Sequence, residues 1–293
     1  MKALQLILII LFFNSLNLLS QEKEVKITTE KLTDRVYVLN GQGGNIGLFI
    51  GNNSVFMIDD QFAPLSKKIQ AAIKKITDKP VTYLINTHWH GDHTGGNANF
   101  QKEGAIIVSH ENVRKRMSVD QVVRGEVRSA SPKEALPVIT FSENMQFYMD
   151  EEPVLVTHIH NAHTDGDVLV YFVNSNVLHV GDAYFQGKFP YIDIDSGGSI
   201  DGYIKGIKRI MRITDANTKI IPGHGNVTTK EELKEYLQML EDLKTQVFTE
   251  IEKGASLEEV KNNAKITENY KGYNGWITED KIKEAIYKSL KMK

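Results

Sequence analysis

Between residues 35 and 85 the apolar positions fall into short blocks broken by turn residues. Residues 35–40, 46–51 and 54–59 predict three strands, with Gly41-Gln42-Gly43-Gly44-Asn45 as the loop between the first two. In 64–77 the apolar residues Leu65, Ile69, Ala72, Ile73 and Ile76 recur at helical spacing, and the run 81–85 predicts a buried strand. The alternation returns later, with strands near 105–109, 154–157, 168–173, 177–180 and 219–221 and a helix near 201–213. A long helix over 230–253 is signalled by Thr229 and Glu232 as a capping box, by Leu233, Leu237, Leu240, Val247 and Ile251 on one face, and by Gly254 at its end. Residues 256–293 add short helical pieces. This order of elements suits an α/β fold with two sheets packed between helices.

Composition narrows the class. With 293 residues, 41% hydrophobic and 25% charged, the chain can bury a full core. No repeat or Pro/Gly-rich linker divides it, so one catalytic domain over 21–293 with a helical C-terminal end is expected. The formal net charge of −2 gives no basic footprint, which argues against nucleic acid as a partner. Lys2, followed by residues 4–19 that are apolar except for Gln5, Asn14, Ser15 and Asn17, predicts a secretory signal over 1–20. The expected location is therefore the periplasm or the medium, with no stable membrane association after cleavage. The chain has no cysteine, so any metal must be held by His, Asp or Glu.

Candidate chemistry concentrates in Thr87-His88-Trp89-His90-Gly91-Asp92-His93-Thr94-Gly95-Gly96, directly after the strand at 81–85. Positions i and i+2 of extended backbone project to one side, so His88 and His90 can grip one ion while Trp89 points into the protein. Gly91 then permits a bend that aims Asp92 and His93 at a second ion. A lone histidine near a strand end is ordinarily a packed or hydrogen-bonded residue; four potential ligands within six positions are not ordinary. His110, His158, His160 and His179 show no such pattern and are assigned structural or supporting roles. Asp167 is read as finishing a turn, and Asp165 either orients an imidazole or does the same.

His88-Trp89-His90-Gly91-Asp92-His93 resembles the H-x-H-x-D-H motif of the metallo-β-lactamase superfamily. His163 in Ala162-His163-Thr164-Asp165-Gly166-Asp167, Asp182 in His179-Val180-Gly181-Asp182, and His224 in Pro222-Gly223-His224-Gly225 follow in the family's order, so the resemblance spans about residues 33 to 250. It implies a four-layer αββα sandwich. It also implies that His88, His90 and His163 hold one metal, that Asp92, His93 and His224 hold another, and that Asp182 bridges them. The ligands suit two Zn²⁺ ions, with iron or manganese also compatible.

The implied activity is hydrolysis of a small carbonyl substrate, a β-lactam, lactone, ester or thioester, by a metal-bound hydroxide that Asp92 orients. Asp182 stands where the Cys-containing β-lactamases of the family carry a Cys, and Phe185 stands where they carry a carboxylate-binding Lys. This departure points toward the family's thioesterases and lactonases. The loops 40–45 and 185–199 are the candidate substrate loops, with Phe185, Lys188 and Tyr191 as substrate residues and Phe189, Asp193 and Asp195 as further walls or charged handles. The competing readings are a mononuclear iron sulfur dioxygenase and a metal-dependent phosphodiesterase. A monomer is expected.

Overall fold

The computed structural model describes residues 24–123 and 125–292; the predicted signal, 1–20, lies outside the described residues. Strands β1 (Thr28–Lys31), β2 (Val36–Asn40), β3 (Ile46–Ile50) and β4 (Val55–Ile58) form an antiparallel meander. Helix α1 (Ser66–Ile76) crosses over to β5 (Val81–Asn86), which lies parallel to β4. Two short helices, α2 (Gly91–Thr94) and α3 (Asn97–Lys102), lead to β6 (Ile106–His110), and α4 (Glu111–Met117) leads to a separate hairpin of β7 (Gln121–Val123) and β8 (Glu126–Arg128). Strand β9 (Ile139–Phe141) closes a seven-stranded sheet of order β1-β2-β3-β4-β5-β6-β9.

The second sheet has the order β10-β11-β12-β13-β14, made by β10 (Asn144–Met149), β11 (Glu152–His158), β12 (Val168–Phe172), β13 (Val177–His179) and β14 (Lys219–Ile221). Its last pair is parallel and is joined through α5 (Ile200–Ile213). Helices α6 (Lys230–Glu252), α7 (Leu257–Asn262) and α8 (Glu279–Lys291) complete the chain.

The period-2 alternation of β4 shows how the layers arise. Val55 and Met57 pack with Ile69 and Ile73 of α1, while Phe56 and Ile58 pack across to Val154, Val170 and Phe172 of the second sheet. The sheet–sheet interface is aromatic at its centre: Phe49 stacks on Phe172 at 5.4 Å, and Phe56 meets Phe172 and Phe147 edge-on at 6.0 and 5.2 Å. Each such fully buried side chain contributes about 1.5–3 kcal/mol. On the far face of the second sheet, Leu169, Leu178 and Ile220 pack against Ile207, Leu240 and Ile286 from α5, α6 and α8. The layers are helix, sheet, sheet, helix, as the resemblance implies.

One local expectation fails. Thr229 makes no side-chain cap to α6; Glu232 instead accepts from Gln186 Nε2 at 3.0 Å. The capping box forms one helix later, between Ser256 and Glu259. Gly254 does end α6, with φ of 87°.

Candidate metal centre

All seven sequence-predicted ligands converge on one edge of the sandwich, beyond the ends of β5, β13 and β14 and in the loop between β11 and β12. The backbone of the motif differs from a continued strand. After β5, residues 87–89 form bends, His90 is extended, and Gly91–Thr94 is a helical turn rather than a glycine hinge. His88 and His90 still share a side, because Trp89 is driven into the apolar cluster of Val113, Met117 and Ala135.

The donors fall into two groups, His88, His90, His163 and Asp182, and Asp92, His93 and His224, each with ligand atoms within 4.8 Å of one another. Asp182 faces both. Its Oδ2 lies 3.5 Å from His163 Nε2 and 3.8 Å from His88 Nε2. Its Oδ1 lies 3.1 Å from His93 Nε2 and 3.5 Å from His224 Nε2. Asp92 Oδ2 approaches His224 Nε2 at 3.2 Å and His93 Nε2 at 3.5 Å.

Hydrogen bonds on the far side of each ring decide which nitrogen faces the centre. His93 Nδ1–H donates to Asp59 Oδ2 at 2.8 Å, and His163 Nδ1–H donates to the Tyr191 carbonyl at 2.6 Å. The Thr87 hydroxyl gives its proton to Asp59 at 2.7 Å, so it accepts from His88 Nδ1–H at 3.1 Å. His90 is turned the other way: Nε2–H donates to Asp193 Oδ2 at 2.8 Å, leaving Nδ1 inward. The inward lone pairs of His90 Nδ1 and His163 Nε2 stand 2.8 Å apart with their protons committed elsewhere. His88 Nε2, His93 Nε2 and Asp182 Oδ1 are buried without a hydrogen-bond partner. Unpaired buried donors and acceptors are costly, and a divalent cation between them satisfies all at once. The residues therefore fit a metal centre.

Electrostatics agree. Burial pushes His88 well below the usual imidazole range and His163 down to about 4, which keeps both neutral and able to coordinate. Burial also opposes the charge of Asp182, yet His93, His224, His88 and His163 together hold it well below the usual carboxylate range. His93 feels burial downward, but Asp182, Asp92 and Asp59 raise it well above 6.5: with no cation among them the carboxylates draw a proton onto the ring, which a bound metal would displace. Two glycines make room: a Cβ at Gly223 would fall 2.0 Å from Asp182 Oδ1, and one at Gly44 would fall 2.1 Å from His93 Cε1.

The centre opens on a cleft of about 710 Å³ lined by Trp89, His90, Asp92, Asp182 and His224. Phe185, Lys188 and Tyr191, the expected substrate residues, all line it. Phe185 is 6% exposed and stacks on His224 at 5.2 Å, so much of its surface supports a ligand. Asp193 is not a substrate handle. It is buried and holds His90, while Phe189 packs in the helical core and also lines the cleft, as expected of a wall.

The loop 40–45 is mainly a brace. Asn45 Nδ2 donates to the Pro222 and Gly225 carbonyls at 3.0 and 2.8 Å, fixing the His224 loop, and only Gln42 of this segment reaches the cleft. His179 joins the brace by donating from Nε2 to the Asn45 carbonyl at 3.0 Å. Asp167 ends a turn by accepting from His163 N–H and the Thr164 hydroxyl, and Asp165 pairs with Arg116 at 2.8 Å. His110 and His158 stack at 3.9 Å away from the centre.

Sequence reasoning missed Asp59, Arg128 and Trp276. Asp59 had a signal, a carboxylate ending a fully apolar strand. Arg128 and Trp276 reach the cleft from 36 and 184 residues beyond Asp92, respectively, and no local pattern reports such contacts.

Comparison with known proteins agrees with this geometry. The sequence profile of the Metallo-beta-lactamase superfamily matches residues 39–248. The metallo-beta-lactamase type 2 of Bacteroides fragilis is 24% identical over 221 residues, which cover 70% of this chain and 83% of that protein. A hydroxyacylglutathione hydrolase of Pelagibacter ubique (strain HTCC1062) is 28% identical over 158 residues, covering 52% of this chain and 56% of that one. The structure of a metallo-beta-lactamase from Pontibacter korlensis superposes with a TM-score of 0.63 at 18% identity, over 74% of this chain and all of the other, which speaks to the fold. With the profile spanning most of the chain and the helix–sheet–sheet–helix layers in place, the chain belongs to the metallo-β-lactamase superfamily.

Proposed function

We propose that the protein is an exported dinuclear metal hydrolase, with zinc as the metal, that cleaves a small carbonyl substrate: a β-lactam, lactone, ester or thioester. The observation that carries this reading is Asp182, whose two oxygens face the two donor groups separately. Seven donors exceed what one closed structural ion uses, and a bridged pair leaves positions for water and substrate. Zinc bound there would supply Lewis acidity and a water acidic enough to deprotonate near neutral pH.

The protein's own residues do the rest. Asp92 Oδ2, exposed to the cleft beside His224, is placed to orient the attacking water. Asp59, Thr87, Asp193 and the Tyr191 carbonyl keep the ligand rings in register, so positioning is set before substrate arrives. Trp89, Phe185 and Tyr191 wall the cleft and exclude water from one side of a bound substrate. The named relatives, a β-lactamase and a thioester hydrolase, support carbonyl chemistry.

The rest of the reading is that residues 21–293 act as one monomeric domain in the periplasm or medium, freed by cleavage after Ser20, on a small molecule and not on nucleic acid. Helices from both ends of the sequence pack on the same sandwich, and among the described residues no helix is long and apolar enough to cross a membrane. A panel of a chromogenic cephalosporin, a lactone, a thioester and a phosphodiester tests the activity. Cleavage of a carbonyl substrate, abolished by chelator and restored by zinc, supports the proposal; cleavage of the phosphodiester alone contradicts it. N-terminal sequencing of the exported protein checks the signal.

A further inference from the structure

We propose that Arg128 is the substrate's anion anchor, so that the cleft selects carbonyl substrates with a carboxylate on one side and an apolar or aromatic group on the other. The inference rests on the hydrolase reading for the location of the chemistry, and it goes on to name the substrate class.

Arg128 ends β8, in a hairpin that belongs to neither sheet. The hairpin is held at its base: the Ala130 N–H donates to Asp120 Oδ1 at 2.8 Å, Gln121 Nε2 donates to the Arg116 carbonyl at 3.1 Å, and the Ser131 N–H donates to the Met117 carbonyl at 2.8 Å. From this base it carries Val123 and Arg128 to the cleft, on the same wall as Asp92. The approach is close. A Cβ at Gly91, the residue before Asp92, would lie 3.9 Å from Arg128 Nη1, an ordinary contact distance, so the guanidinium stands beside the turn that carries Asp92.

Of the other described arginines, Arg35 pairs with Asp150 at 2.9 Å and Arg116 with Asp165 at 2.8 Å. No carboxylate among the described residues lies within ion-pair distance of Arg128. A planar guanidinium matches a carboxylate with two parallel hydrogen bonds. Phe62, Tyr191 and Trp276 also line the cleft, the last 55% exposed with its ring 5.2 Å from that of Tyr191. Trp276 lies beyond residue 248, where the family profile ends, so this part of the apolar lining is supplied by the chain's own C-terminal segment.

The chain has two tryptophans, and both line the cleft, so their emission reports binding directly. Zinc-loaded mature protein is titrated with 3-phenylpropanoate and, separately, with 3-phenylpropanamide, and the series is repeated on Arg128→Ala, Arg128→Lys and metal-free wild type. The inference expects Arg128→Ala to weaken the carboxylate about tenfold and the amide less than twofold, with Arg128→Lys between, as loss of a charge-assisted hydrogen bond does. Equal loss for both probes, unchanged carboxylate affinity in Arg128→Ala, or no carboxylate binding by the wild type overturns it. The probe ratio does not depend on turnover, so a protein that hydrolyses nothing yet shows the Arg128 effect fails the hydrolase reading and keeps this one.

Discussion

Asp59 shows how closely the centre depends on a residue that does not face it. The fully buried carboxylate accepts three hydrogen bonds: Thr87 N–H to Oδ1 at 2.7 Å, and the Thr87 hydroxyl and His93 Nδ1–H to Oδ2 at 2.7 and 2.8 Å. Its φ is 60°, a region that asparagine tolerates well, so Asp59→Asn keeps the backbone and changes the chemistry. The new NH₂ group must face at least one of these donors whichever way the amide turns. With the amide nitrogen at the Oδ2 position, His93 moves its proton to Nε2, the nitrogen that faces Asp182 and Asp92. Breaking such a supporting bond typically lowers metal affinity about 10- to 100-fold, and the stranded donors cost about 1–3 kcal/mol of folding stability. Zinc competition against a chromophoric chelator resolves the two affinities. The weaker binding is expected mainly at the Asp92, His93 and His224 group, with a smaller effect at the His88 group through Thr87. Two wild-type zinc affinities in a variant that has merely lost thermal stability would refute the reasoning.

The remaining predictions probe other parts. Asp92→Ala should lower turnover at least about 100-fold, as misplacement of a reacting group does, while leaving the circular dichroism unchanged; wild-type rates would remove its assigned role. Gly223→Ala places a methyl group 2.0 Å from Asp182 Oδ1, and elemental analysis should find less than the wild-type metal content. Burial, against the bond from its Nδ1–H to the Asp167 carbonyl, lowers His158 to about 4. The neutral ring therefore stabilises the fold fully above pH 6.5, and that contribution, at most about 3 kcal/mol, is lost as pH falls from 6.5 toward 4. Melting curves across this range should fall less steeply for His158→Gln than for wild type; parallel curves would contradict the assignment.

The parts of the molecule legible in the sequence are those governed by near neighbours. Strands β2 to β5 show themselves because alternating or continuous apolar runs report burial residue by residue, and the His88–His93 motif packs four donors into one turn. Strand β10 was within reach, since Met145, Phe147 and Met149 alternate with exposed residues, but its polar face hides the pattern. The capping box at Thr229 was a true local signal overruled by a distant one, the pairing of Glu232 with Gln186. Asp193 illustrates the same limit. Its charge in a loop suggests contact with substrate, and only the fold shows that it is spent on His90, 103 residues away in sequence.

The most direct test of the bridged centre is metal stoichiometry, by elemental analysis, of the mature wild-type protein and of Asp182→Ala. The account predicts two zinc ions per wild-type chain and a marked loss in the variant, because both donor groups share that carboxylate. A single iron with thiol-dependent oxygen uptake, or full zinc occupancy without Asp182, would contradict it.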